Sequence, residues 1–383
     1  MFFLLLVGYS LVPMTPVPQE ASGDVVVYGT RLDAAHGECV AKRCSVLRDA
    51  QVAIALAEQQ LRAGAYLAAK GTLAAALNRT KDQAATFPKP VSALYEAYAA
   101  VSLQEGDIET YRAAVAREVR TLRDNLPATD PAVTAAAFAT GDMWLELNEP
   151  LRADASYAAA EKNAQDIGDR RGVLVATLRR VALAANQGET RRAKEMLKTV
   201  AADPAAADPA VQTLIRVVAL RAAARGSDTA TVDRLVADIG HQSGAQPHLI
   251  WQPEYPVDPD LAARQVATKF GYADATTTRS SDRGAIQWAD IGFWIAPDGR
   301  TREAAVLRGS SGYGWTHPLL LQVAGRRYSE SAAGSPGVYR IERFSSRPIY
   351  TVPIGSLIRR RAGPVSLQVL DLTDPSATPI TLR

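Results

Sequence analysis

The sequence predicts an α+β protein in which an all-α helical array precedes a small antiparallel sheet domain. From Ala50 to Ile239 the chain is rich in Ala, and apolar residues recur at three- and four-residue spacing, which is typical of helices. From His241 onward Gln, Pro and Gly become more frequent, and Val338–Phe344 alternates in polarity as half-buried strands do. At 383 residues, 47% of them hydrophobic, the chain has enough apolar material for two or three domains.

The N-terminal segment predicts export. Phe2 to Val12 form an apolar run of 11 residues that Pro13 closes, and the small residues Ala21-Ser22-Gly23 follow. The run is too short to span a bilayer, so residues 1–23 are interpreted as a secretory signal peptide. A retained membrane anchor is the less favoured alternative, because prolines interrupt any longer helix. We expect a periplasmic location, with association to the outer membrane left open.

Residues 24–48 contain both cysteines of the chain, Cys39 and Cys44. A disulfide that closes a small loop is typical of exported proteins, and it requires a turn between the two residues. A metal site is the alternative, with His36 and Glu38 nearby as further ligands. We favour the disulfide and predict neither a metal nor a cofactor.

A repeated pattern fills residues 49–240. Its first copy places Gly, aromatic, small, large apolar and small residues at Gly64, Tyr66, Ala69, Leu73 and Ala76. The later copies carry Gly106, Ile108, Tyr111 and Val115; Asn148, Pro150, Ala153, Tyr157 and Ala160; Gly188, Thr190, Ala193, Leu197 and Val200; and Gly226, Asp228, Thr231 and Leu235. The leading positions are 42, 42, 40 and 38 residues apart. Gly or Asn there allows a tight turn between two helices, and a small residue allows close helix contact.

This pattern resembles the tetratricopeptide repeat over about half of the chain, with longer helices or connections than the standard repeat of about 34 residues. The resemblance implies roughly five helix pairs in one curved stack. The family binds peptides or partner proteins and carries no catalysis of its own. Aromatic side chains of the array could line a groove, although packing between helices is the favoured interpretation. These residues are Tyr95, Tyr98, Tyr111, Trp144 and Tyr157.

Residues 241–383 predict the sheet domain. Pro297-Asp-Gly299 is typical of a tight turn between two antiparallel strands, and Pro318 suits the first turn of a short helix. In chain order the predicted elements are a helix over Asp260–Phe270, strands over Ile286–Ile295 and Arg302–Leu307, a helix over Pro318–Ala324, and strands over Val338–Phe344 and Val365–Leu370.

The stretch from Trp288 to Phe344, with Ile-Gly-Phe-Trp-Ile-Ala-Pro-Asp-Gly after Asp290, resembles the C-terminal domain of TonB energy transducers over about a quarter of the chain. In that family the sheet accepts an extra strand from a short receptor peptide through main-chain hydrogen bonds. The resemblance implies a TonB-C-like docking edge, which we assign to four residues of the Val338–Phe344 strand. They are Tyr339, Ile341, Arg343 and Phe344.

A second segment is similar to the mature N-termini of TonB-dependent receptors. It follows the expected cleavage site and contains three consecutive valines, which favour a β-strand. One hypothesis is that this strand pairs with a sheet edge of the chain or of a partner; a plain linker strand is the alternative. The residues are Asp24, Val25, Val26, Val27 and Tyr28.

The formal net charge of +3 argues against a general nucleic-acid binder. The excess is nevertheless uneven, because residues 286–383 contain 12 Arg against 7 Asp plus Glu. A cluster at Arg359, Arg360 and Arg361 is interpreted as a solvated basic edge. Weak contact with an anionic envelope polymer or lipid is the functional alternative.

No catalytic motif stands out. The four histidines, at positions 36, 241, 248 and 317, form no His-Glu-x-x-His pair, and Ser310-Ser311 lacks the Gly-x-Ser-x-Gly context of a nucleophile. The sequence therefore predicts an exported, non-catalytic interaction or scaffold protein of the bacterial cell envelope, which binds through its repeat surface and its sheet edge. One alternative is a TonB-like transport component that couples to TonB-dependent receptors. Another is an envelope hydrolase or its regulator.

Overall fold

The computed structural model describes residues 29–224, 229–238, 247–255, 285–310, 312–352 and 357–373. Eleven α-helices come first in these ranges, and the strands of two antiparallel sheets follow, so the α+β fold class is confirmed. The helices are α1 Gly29–Val40, α2 Val46–Arg62, α3 Tyr66–Thr80, α4 Pro88–Glu105, α5 Ile108–Asn125, α6 Pro131–Glu146, α7 Pro150–Asp166, α8 Arg170–Asn186, α9 Thr190–Ala201, α10 Pro209–Ala224 and α11 Thr229–Asp238.

The C-terminal elements follow the predicted order. They are β1 Leu249–Trp251, β2 Gln287–Ile295, β3 Thr301–Gly309, α12 His317–Ala324, β4 Arg327–Tyr328, β5 Val338–Thr351 and β6 Arg360–Asp371. Strands were expected at the positions of β2, β3, β5 and β6 and are confirmed there, although β5 and β6 are longer than predicted. The helix expected over Asp260–Phe270 lies outside the described residues.

The chain divides into two compact units. The first comprises Met1–Leu103 and Glu109–Ala176, and the second comprises Gln104–Ile108 and Thr177–Arg383. The predicted domain boundary near residue 240 stays a prediction. In the described part of the chain, no helix has the length and apolar character needed to cross a bilayer.

Helix pairs recur where the repeated pattern placed them. The four described leading positions, Gly64, Gly106, Asn148 and Gly188, all have positive φ, from 57° to 88°. At three of them, residues 64, 148 and 188, the same two hydrogen bonds close the preceding helix: the leading N–H bonds the carbonyl three residues back, and the next N–H bonds the carbonyl five back. These are the bonds of a Schellman helix end, which Gly or Asn favours. The predicted tight turns are therefore confirmed, and the packing of the helices is consistent with repeats.

Helix contacts in the first unit follow the same pattern. Ala69, Leu73 and Ala76 of α3 have no exposed surface, and Ala153 and Tyr157 of α7 are equally buried. A second contact between α2 and α3 is ionic. The guanidinium of Arg79 donates to both carboxylate oxygens of the buried Asp49, at 2.9 and 2.7 Å. Small residues thus bring the paired helices together, and a two-bonded ion pair holds the first pair in register.

In the second unit the strand order is β3-β2-β5-β6, with every neighbour antiparallel. One face of this sheet is apolar: Ile291, Phe293 and Ile295 of β2 are fully buried, as is Phe344 of β5. Leu319 and Val323 of α12 are also buried, as expected for a short helix packed on a sheet. The opposite face carries charged residues and forms part of the site described next.

Candidate functional site

The two cysteines are joined in the structure. Cys39 lies in the last turn of α1, Cys44 lies just before α2, and a disulfide connects them. Leu32 of α1 and the residues Val52 and Leu56 of α2 form the apolar cluster around this bond. The disulfide therefore ties α1 to the first helix pair, and no site that uses free thiols exists here.

The N-terminal strand hypothesis cannot be placed. Residues Asp24 to Tyr28 lie outside the described residues, and the chain is first described at Gly29, where α1 begins. Pairing of this segment with a sheet edge stays a prediction.

The residues assigned to a docking edge do not form one. Strand β5 pairs with β2 on one side and with β6 on the other, so Arg343 and Phe344 are in the interior of the sheet and fully buried. Beyond β6, the N–H of Ile341 donates to the hydroxyl of Thr373 at 3.1 Å, and its carbonyl accepts from the N–H of Leu372 at 2.8 Å. The assignment of an edge to β5 was wrong because the C-terminal segment returns and occupies that edge itself.

Tyr339 lies near the start of β5, opposite Trp294 of β2. The two rings are tilted, with centroids 4.9 Å apart. Tyr339 therefore packs against its own sheet, and the end strands of the described sheet are β3 and β6.

Two of the three clustered arginines have acidic partners within the second unit. Arg359 bonds Asp107 at 2.8 Å, and Arg361 bonds Glu105 at 2.6 Å. Both guanidinium groups also lie over the ring of Tyr350, at 5.4 and 5.1 Å from its centroid. Arg360 alone of the three forms no ion pair within the described part of the chain, and its side chain is exposed. Binding of an anionic polymer through this cluster stays a prediction. Two of its three arginines, Arg359 and Arg361, are already paired with carboxylates of the chain.

The polar face of the sheet carries a row of three charges. Arg308, Asp290 and Arg343 are directly opposite one another on β3, β2 and β5. Asp290 accepts bonds from Arg343 at 2.6 and 2.9 Å and from Arg308 at 2.8 Å. The guanidinium of Arg343 lies 3.9 Å from the ring centroid of Trp288. The two bonds and the stacking hold Arg343 rigidly in place, which suits it to a structural role.

The aromatic residues of the array are mostly packing residues. Tyr111 and Tyr157 are buried, and the hydroxyl of Tyr157 donates to Asp142 at 2.5 Å. Trp144 is half-buried, with the guanidinium groups of Arg112 and Arg152 at 5.0 and 4.6 Å from its ring centroid. Tyr95 and Tyr98 are also half-buried. These positions agree with helix packing as the main role.

One residue that the sequence reasoning missed stands out. Glu118 of α5 is only 7% exposed, and the structure gives it no hydrogen-bond or ion-pair partner among the described residues. Burial raises the pKa of its carboxyl group, and the negative charge of Glu96 adds to the increase, to about 8 in all. A signal was available in the sequence: Glu118 is twelve residues after Gly106, where the first and third copies have Ala76 and Ala160.

The raised pKa of Glu118 predicts that the folded protein becomes less stable as pH rises. In the unfolded chain the carboxyl group ionises near pH 4.3 or so, whereas in the folded chain it keeps its proton to about pH 8. The stability that the bound proton provides is therefore complete below the unfolded pKa and is lost as pH rises through the folded pKa. We expect Glu118→Gln to equal the wild type in acid and to become more stable than it as pH rises through the range between the two pKa values, by roughly a few kcal/mol at the upper end.

Thermal unfolding followed by circular dichroism across this pH range measures the difference. Glu58→Gln provides the control for loss of a surface carboxylate, since Glu58 of α2 is exposed and bonds Arg62 at 2.9 Å. A wild-type profile that does not depend on Glu118 would contradict the assigned protonation.

Comparison with known proteins identifies no family. No protein-family model matches the chain, and no curated protein is detectably similar to it. The evidence for function is therefore the geometry of the chain itself. Among the described residues, no group of three or more His, Cys, Asp or Glu side chains is arranged to hold a metal ion.

Proposed function

We propose that the chain is an exported, non-catalytic interaction protein of a bacterial envelope, in which the helical array binds peptides or partner proteins. The recurring helix end carries this proposal. Positive φ and the same pair of hydrogen bonds recur at Gly64, Asn148 and Gly188 at the spacing of the repeat, which supports a repeated helix pair. The same helix end also occurs at Gly168, between α7 and α8. Repeated helix pairs bury their apolar faces against neighbouring pairs and leave an extended surface, which is the geometry of a tetratricopeptide-like platform.

A transport role is the second candidate. It is supported by the order of β2, β3, α12 and β5, which is the order expected of a TonB-C-like module. Strand addition needs an unpaired edge, and β6 occupies the edge of β5 that the resemblance implies. The remaining end strand next to β2 is β3, which exposes Arg302, Glu303 and Arg308. Charged residues on an end strand disfavour strand addition, so we assign partner binding to the array first.

Site-specific photo-crosslinking in the envelope tests the proposal. A photoreactive amino acid would replace one exposed leucine at a time in the full chain. Leu67 and Leu151 are on the array, each three residues after a leading position, whereas Leu307 is on β3 and Leu321 is on α12. We expect partner crosslinks from Leu67 or Leu151.

The four positions distinguish the candidates. Crosslinks to outer-membrane receptors from Leu307 alone would favour the transport role. An absence of crosslinks from both array positions would contradict the proposed platform. Because all four leucines are exposed, each substitution should leave the fold unchanged.

A further inference from the structure

Most buried acidic side chains of this protein form ion pairs with arginines, whereas Glu118 does not. Five of the buried carboxylates each bond an arginine of the same unit at 2.6 to 2.8 Å. These pairs are Asp49–Arg79, Glu105–Arg361, Asp107–Arg359, Asp290–Arg343 and Glu342–Arg326. Glu118 is as buried as they are, yet no cationic side chain of the described residues reaches it. A buried carboxyl group without a partner is costly, so its presence requires an explanation.

The position of Glu118 in the repeat also makes a glutamate there unusual. The equivalent residues of the first, third and fourth copies are Ala76, Ala160 and Val200, all buried with at most 4% exposure, whereas the fifth copy has Asp238 there. An apolar residue thus satisfies the packing of this position in three of the five copies. A glutamate at the second copy is not required by the fold, and departures from a local rule of this kind are expected at functional sites.

The surroundings of Glu118 are negative. Glu96 of α4 is exposed and close enough for its charge to act on Glu118. On the same helix, burial raises the pKa of the Tyr111 hydroxyl, and the charges of Glu146, Asp142 and Glu118 add to that increase. The charge that acts on Glu118 from α4 is therefore negative, which favours a cation at this point.

We propose that Glu118, together with Glu96, receives the guanidinium or ammonium group of an Arg or Lys side chain from a partner peptide. The proposal rests on the proposed function, because it assigns one contact of a peptide on the array. Charge complementarity identifies the ligand: each of the other buried carboxylates is neutralised by a guanidinium group, and a partner would supply the one that is missing here.

Binding of a cation should expel a proton. Glu118 keeps its proton to about pH 8 in the free protein, and a neighbouring positive charge favours the ionised carboxylate. Near neutral pH the complex would therefore form with release of up to one proton from Glu118. A contact made only by exposed surface charges would release none, so proton release distinguishes the two.

Isothermal titration calorimetry of the full-length protein tests the proposal. The probes are acetyl-Gly-Arg-Gly-amide and acetyl-Gly-Lys-Gly-amide, titrated near neutral pH in phosphate and in Tris, whose ionisation enthalpies differ. The same peptide with citrulline in place of arginine keeps the shape and lacks the charge. We expect binding of one or both basic peptides with proton release, and at least about tenfold weaker binding of the citrulline peptide.

Variants of two glutamates on α5 complete the test. Glu118→Gln should abolish the proton release and reduce the affinity at least about tenfold, whereas Glu109→Gln, which changes an exposed acid of the same helix, should change neither. Glu118→Ala restores the residue of the first and third copies and serves as the folded alternative. Equal binding of the arginine and citrulline peptides, or no binding at millimolar concentration, would overturn the proposal; in that case Glu118 binds a proton only.

The outcome can be separated from that of the proposed function. If crosslinks from Leu67 or Leu151 persist in Glu118→Gln while the basic peptides do not bind the wild type, only the contact at Glu118 fails. If the array positions capture no partner in the wild type, the platform itself fails.

Discussion

Replacement of Glu342 by Leu is expected to destabilise the second unit by about 3 to 5 kcal/mol, because it leaves the charge of Arg326 buried without a counter-ion. The two side chains are 3% and 0% exposed, and Arg326 Nη1 donates to Glu342 Oε2 at 2.7 Å. The guanidinium group also lies over the rings of Phe293 and Phe344, at 5.7 and 5.8 Å from their centroids. Water cannot replace the lost carboxylate in this apolar layer.

The other bonds of Arg326 are too weak to compensate. Its guanidinium donates to the side-chain oxygen of Gln322 at 3.1 Å and to the hydroxyls of Tyr255 and Tyr328 at 3.3 and 3.4 Å, and all three acceptors are neutral. Hydrogen bonds between a charge and a neutral group do not offset the loss of a buried ion pair.

Urea unfolding followed by tryptophan fluorescence measures the effect. Four of the five tryptophans, at positions 251, 288, 294 and 315, belong to the second unit, so the signal reports mainly on that unit. The double variant Glu342→Leu with Arg326→Met removes both charges and should recover most of the lost stability. A single variant that costs less than about 1 kcal/mol would show that the pair is not effectively desolvated.

Substitution of Gly141 by Ala should destabilise the first unit by about 2 to 3 kcal/mol through overpacking. Gly141 of α6 faces the ring of Tyr157 of α7, and an added Cβ would overlap Cδ1 and Cε1 of that ring. Tyr157 is fully buried, and its hydroxyl is fixed by its bond to Asp142. The ring cannot turn away, so the two helices would have to separate.

Gly71 of α3 is the matched control for this variant. It is also a helical glycine, but an added Cβ there meets no atom within 4 Å. Gly71→Ala should therefore stabilise the helix by about 0.5 to 1 kcal/mol, since Ala loses less backbone entropy than Gly. Thermal unfolding by circular dichroism compares the two variants. Equal changes in both would mean that helix propensity, rather than contact between α6 and α7, decides the outcome.

Local features of the fold could be predicted from the sequence. The turn at Asn148 is an example, because a residue that tolerates positive φ is required where one helix ends and the next reverses direction. This requirement depends only on a few neighbouring residues, so it can be recognised in the sequence. The start of α12 at the Thr316-His317-Pro318 segment is similar, since proline suits the first turn of a helix.

Long-range features could not be predicted in the same way. Strand β5 was expected to end at Phe344 and continues to Thr351, because Ser345 and Arg347 are polar but buried on the charged face of the sheet. The pairing of Asp290 with Arg343 joins residues 53 positions apart, and the chain contains many arginines that could have served. Such choices depend on strand order, which only the folded chain defines.

The candidate site at Glu118 is an intermediate case. Extension of the repeat pattern by one position would have identified a glutamate where three other copies have Ala or Val, but not that it is buried without a partner. Burial depends on how α4, α5 and α6 pack, as seen in the cluster of Ala99, Tyr111, Val115 and Met143. The pattern thus indicates where to look, and the packing determines whether the residue is unusual.

The return of β6 also affects how shortened forms of the protein would behave. A chain that stopped before Arg360 would leave β5 with a long row of main-chain donors and acceptors facing water from Glu342 to Thr351. Such a row is a template for pairing with another molecule, so truncated chains are expected to self-associate more readily than the intact chain. Proteolysis between β5 and β6 would have the same effect if the C-terminal piece dissociated, which makes integrity of this hairpin a condition for solubility.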